Sequence, residues 1–107
     1  MTTNARQAIQ ESAMLLRKIY GERLNKVLLY GSYARGEQWE ESDIDFLVVL
    51  NEEKISSFKE LEFISDNLFE LNLKYNIPLS FHPISKERLK SEKSFFLNNV
   101  RKEGVEL

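Results

Sequence analysis

The run "DIDFLVVL", residues 43 to 50, constrains the fold more than any other part of the chain. After Asp45 both parities turn apolar, with Phe46 and Val48 on one face of an extended strand and Leu47 and Val49 on the other. A strand apolar on both faces belongs in the middle of a sheet that is covered on both sides. The segments around it supply the covering. Ala5, Ala8, Ile9, Ala13, Leu16, Ile19 and Tyr20 recur at helical spacing, and Gly21 is placed to end that helix. "KVLLYG" reads as a short apolar strand closed by Gly31, and Ser32 as the cap of a helical turn that Gly36 ends. Between Ile55 and Tyr75 the apolar positions Phe58, Leu61, Ile64, Leu68, Leu71 and Tyr75 predict a long amphipathic helix. "IPLSFHPIS" predicts a third strand, whose Pro78 and Pro83 fit a sheet edge or a strand terminus better than a central position. A last helix follows Ser85 with Leu89, Phe95, Phe96 and Val100 as its apolar anchors, then a short extended tail. The order is that of an α/β domain with a small mixed sheet flanked by helices, one domain over residues 1–107.

The same strand poses a problem of charge. Asp43 and Asp45, two of three aspartates in the chain, stand at its head, where an ionised carboxylate entering a core needs a partner. At positions i and i+2 of a strand they point to one face, about 7 Å apart at the backbone, and can converge on one cation. Oxygen ligands alone favour a hard ion, Mg²⁺ or Mn²⁺, which completes its shell with water and substrate phosphates. Gly31 and Ser32 fit the same chemistry. A residue without a side chain at a strand end lets phosphate approach the backbone, the next helical turn offers N–H groups, and Ser32 adds a hydroxyl. Arg35 is near enough in sequence to clamp a phosphate, or else to neutralise the glutamates of "GEQWEES". A phosphate cradle and a divalent-metal seat on neighbouring strands suit a nucleoside triphosphate.

Composition removes other classes. No apolar run approaches the roughly 20 residues of a membrane span, and "MTTNARQAIQES" has no apolar core of a secretory signal. With no cysteine the chain has neither disulfide nor thiolate metal site, which suits a cytoplasmic protein. Fifteen basic and 17 acidic residues are interspersed, so no basic stripe is present to track a long nucleic acid.

The order Gly-Ser, ten residues, Asp-x-Asp, here "GSYARGEQWEESDID", resembles the signature of the polymerase-β-like nucleotidyltransferase superfamily, and the whole chain is similar to its minimal nucleotidyltransferases. These are often encoded beside a HEPN-domain ribonuclease toxin. The resemblance implies that Gly31 and Ser32 hold the triphosphate; Arg35 remains a candidate nucleotide contact on its nearness in sequence. It implies that Asp43 and Asp45 are the catalytic carboxylates and bind Mg²⁺ or Mn²⁺. It also implies transfer of AMP from ATP to a hydroxyl of a partner protein, the HEPN toxin, in a hetero-oligomer. The family's third carboxylate stands on a neighbouring strand, yet "IPLSFHPIS" contains no acid. By alternation Ser80 or His82 takes its place beside the aspartates. Two readings therefore stand together: a protein adenylyltransferase, and a catalytically degenerate nucleotide-binding module that regulates its partner by contact. Trp39 is expected as a half-buried loop anchor and His82 as a polar residue of an edge strand.

Overall fold

The structure, a computed structural model, describes residues 1–39 and 42–107. Helix α1, Thr3–Tyr20, begins where the Thr2 hydroxyl accepts from the Ala5 N–H at 3.0 Å and ends at Gly21, whose N–H donates to the Arg17 carbonyl. Its buried stripe of Ala5, Ala8, Ile9, Ala13, Leu16 and Tyr20 follows the expected one, with Ser12 added and Ile19 only partly buried at its margin. A 3-10 turn, Gly21–Arg23, leads into β1, Leu24–Tyr30. One turn of helix, α2, Ser32–Arg35, separates it from β2, Ile44–Leu50. Next come α3, Ser57–Tyr75, β3, Leu79–Ser85, α4, Lys86–Ser91, α5, Phe95–Glu103, and β4, Val105–Glu106.

The strands form a mixed sheet in the order β3-β2-β1-β4. β1 runs antiparallel to both β2 and β4, and β2 runs parallel to β3. β2 is internal and apolar on both faces, as its sequence requires. Phe46, Val48 and Leu50 pack with α1 and α3 on one side, through Leu16, Ile64 and Leu68. Leu47 and Val49 pack with Leu89 of α4 and with Leu97 and Val100 of α5 on the other. Pro83 is tolerated inside β3 because β3 is an edge strand with only one neighbour to bond. Among the described residues no helix is long and apolar enough to cross a membrane.

Three expectations change. Phe58 and Leu61 face outward, Phe58 at 77% exposure, and the core stripe of α3 is Ile64, Leu68, Leu71 and Tyr75 with Glu60 in the remaining place. Glu60 can be buried there because it accepts from the Tyr20 hydroxyl at 3.0 Å and pairs with Arg23 at 2.6 Å. The segment after Ser85 is two helices rather than one, each capped by a serine, Ser85 and Ser94. Within it Leu89 and Val100 are buried while Phe95 is 86% exposed. The extended tail expected beyond Gly104 is found as strand β4, paired with Leu28 and Leu29 of β1.

Candidate active site

Gly31 follows β1 directly and adopts φ 77°, ψ −157°, a conformation that essentially only glycine enters. Its carbonyl accepts from the N–H groups of Ala34 and Arg35 at 3.1 and 3.2 Å, which folds the chain into α2. Gly31 is thus the cap, and Ser32 is the first helical residue rather than the cap its sequence position suggests. The N–H groups of Ser32 and Tyr33 precede the first intrahelical bond, as at any helix start, but a single turn carries little dipole.

Antiparallel pairing places Tyr30 opposite Asp45, so Gly31 lies against the head of β2. A Cβ built on Gly31 would overlap the Asp45 carboxylate and stand 3.3 Å from its Cγ. The glycine therefore keeps open the space beside the carboxylate. Asp43 is exposed just before β2, and Asp45 is half-buried within it. The loop before them is tied by Ser42, whose N–H donates to the Trp39 carbonyl and whose hydroxyl accepts from the Trp39 N–H, both at 2.9 Å. That backbone clasp does the anchoring; the Trp39 ring is 63% exposed and is no anchor.

The electrostatics are those of a site short of positive charge. Burial raises the Asp45 carboxyl above the ordinary carboxylate range, the Asp43 charge raises it further, and Arg35 opposes both. Burial and the Asp45 charge push the Tyr30 hydroxyl up to about 12. Arg35 is held by Glu37 at 3.0 Å and by Glu103 of α5 at 3.6 Å, so much of its charge is already matched. Of the other loop glutamates, Glu40 and Glu41 lie outside the described residues. A carboxylate pair disfavoured by its own repulsion and beside open backbone fits a divalent cation, with Asp43 and Asp45 as the oxygen donors.

The register of β3 decides what stands where a third acid could. Ser80 pairs with Asp45 and is exposed on the same face; His82 is one row further, opposite Leu47, against Phe96 at 5.4 Å. Partial burial and Arg88 lower the His82 pKa, which leaves it neutral near pH 7. Among the described residues no three metal-ligating side chains cluster. Among the described residues, then, β3 brings no acid beside Asp45. What the sequence did not reveal is the wall of the site: a groove of about 250 Å³ between the end of β1 and α5, lined by Tyr30, Gly31, Arg35, Phe95, Asn99 and Glu103. The four-residue spacing of Phe95, Asn99 and Glu103 was the available signal.

A family model described as a nucleotidyltransferase domain matches residues 13–102. The chain belongs to the nucleotidyltransferase family. Two proteins of Methanocaldococcus jannaschii named as candidate protein adenylyltransferases are 34% and 36% identical to this nucleotidyltransferase over 102 and 101 residues. The alignments cover 94% of this chain in each case, and 95% and 96% of the relatives. Among solved structures, a chain from a toxin–antitoxin with AMP-PNP superposes with a TM-score of 0.64 at 20% identity, over 91% of this chain and 70% of that one. At that identity the likeness is one of fold, and it bears out the mixed sheet and helices of a nucleotidyltransferase.

Proposed function

We propose that residues 1–107 form one minimal nucleotidyltransferase domain that transfers AMP from ATP to a hydroxyl of a partner protein, with Mg²⁺ or Mn²⁺ held by Asp43 and Asp45. The observation that carries this reading is the contact of Gly31 with Asp45, which brings an open backbone turn and a cation-deficient carboxylate pair to one point. A bound divalent ion would neutralise charge on the triphosphate and on the oxygens of the transferring group. Gly31 and Ser32 receive the phosphates, and Arg35 meets them by exchanging one of its carboxylate partners for a phosphate oxygen. The acceptor oxygen then attacks the α-phosphorus, the bond to the β-phosphate bridge breaks, pyrophosphate leaves, and the hydroxyl proton passes to water or to a carboxylate. The relatives' name supports a protein as acceptor. The toxin–antitoxin neighbour supports a toxin partner, which we take to be a HEPN-domain protein in a cytoplasmic hetero-oligomer.

Ser80 favours a second reading. A serine hydroxyl opposite Asp45 is a poor Mg²⁺ ligand and no base near neutral pH, so the chain can bind MgATP and regulate its partner by contact without efficient transfer. Incubating the chain with its HEPN partner, ATP and Mg²⁺ and weighing the intact partner separates the two. A mass gain of one adenylyl group, lost with chelator, is the outcome expected of the enzyme. An unmodified partner that is nonetheless inhibited is the outcome expected of the module.

A further inference from the structure

Beside Gly31 the groove against α5 has walls unsuited to phosphate and suited to a flat neutral ring. Among the described residues its one cation is Arg35, matched by Glu37 and Glu103, and Phe95 and Asn99 on the α5 side carry no charge to attract an anion. At about 250 Å³ it is below the roughly 300 to 1,000 Å³ of sites that enclose a whole ligand, so it can take one ring system with the remainder outside. Along α5, Phe95, Asn99 and Glu103 follow at steps of four and share one side of the helix. Phe96 is already used: its ring meets Tyr30 edge-on at 5.3 Å and His82 at 5.4 Å, bracing α5 on the sheet. Phe95, by contrast, is 86% exposed and takes part in no aromatic pair among the described residues.

Resting on the reading that Gly31 and Ser32 hold the triphosphate, we propose that this groove is the nucleobase subsite, with Phe95 as the stacking platform and Asn99 as the reader that selects adenine. Aromatic faces stack any base, so Phe95 supplies affinity without choice. Asn99 supplies the choice. Its carboxamide matches adenine in two bonds, the oxygen accepting from N6–H and the nitrogen donating to N7. Guanine presents O6 in place of the amino group, so the same oxygen would face an acceptor. Among the described residues no hydrogen bond occupies the Asn99 side chain, and its exposure leaves it available for this pairing.

Calorimetric titration of the full chain in Mg²⁺ with ATP, GTP and inorganic tripolyphosphate tests the assignment. ATP should bind more tightly than tripolyphosphate. Phe95→Ala should weaken ATP by about 5- to 150-fold and leave tripolyphosphate unchanged, and Phe95→Trp should retain ATP. Asn99→Ala should narrow the preference for ATP over GTP at least about fivefold. Both side chains are exposed, so neither truncation endangers the fold. If both variants bind ATP as the parent does while tripolyphosphate still binds, the base lies elsewhere and the assignment fails. If they slow transfer to the partner and leave ATP affinity intact, the groove belongs to the acceptor and the assignment fails. If tripolyphosphate with Mg²⁺ does not bind even the parent chain, the triphosphate reading of Gly31 falls, and this one with it.

Discussion

At position 31 a side chain is excluded on two independent grounds, its backbone conformation and its contact with Asp45. The first is a demand of the fold, the second of the site. Gly31→Ala should therefore lose about 1 to 3 kcal/mol of stability, read by urea denaturation, from the strained backbone alone, and should also lose MgATP binding. Intact stability together with lost binding would mean that the turn relaxes and only the site needs glycine. Asp45 offers a pH test. Its folded pKa is raised above the ordinary 3.8, so as pH climbs past that value the unfolded chain gives up its proton first and the folded state resists. Stability attached to this group is thus present at low pH and falls as pH rises through the raised value. Asp45→Asn should melt a few degrees higher than the parent at neutral pH without metal, the size of shift that about half a kcal/mol gives. The difference should vanish near pH 3.

Among the elements, β3 governs how far the site can work. Parallel pairing with β2 sets Ser80 against Asp45 and moves His82 one row away, so the two candidates that alternation leaves equal are separated by register. Ser80→Asp should create the third oxygen ligand, tighten Mg²⁺ or Mn²⁺ binding, and raise adenylyl transfer by up to the 10²- to 10⁴-fold range of roughly positioned acid-base groups. His82→Asp should do neither. Rates of partner modification for both variants, with metal affinity from titration, check this; equal effects would mean that the register does not matter. The long helix α3 carries a different lesson. Its periodicity was plain in sequence, yet Phe58 and Leu61 at one margin of the stripe turned out and Glu60 turned in, because Tyr20 and Arg23 wait there with a hydroxyl and a guanidinium. Hydrophobic spacing cannot register a partner 37 or 40 residues away.

For the whole molecule, ligand binding should appear as stability. If ATP is bound through metal to the folded chain alone, a hundredfold excess over its Kd adds about 2.7 kcal/mol, which in a domain of this length raises the Tm by roughly 10 to 20 °C. Thermal melts with ATP and Mg²⁺, with ATP and chelator, and with Mg²⁺ alone check it: the first should shift most, Mg²⁺ alone less, and ATP with chelator not at all. At this scale the division between sequence and structure is clear. The sequence by itself determined the layered α/β fold, since a strand apolar on both faces admits no other place, and it determined the Gly-Ser and Asp-x-Asp pair, since both lie within fifteen consecutive residues at strand ends. Local spacing sufficed for these. Tertiary structure alone decided that Gly31 presses on Asp45, that Ser80 rather than His82 stands beside it, that Arg35 is held by Glu103, and that Phe95 faces a groove instead of the core. Each of these depends on strand register or on the docking of α5, and such long-range choices are made by packing summed over the whole sheet, which no local pattern records.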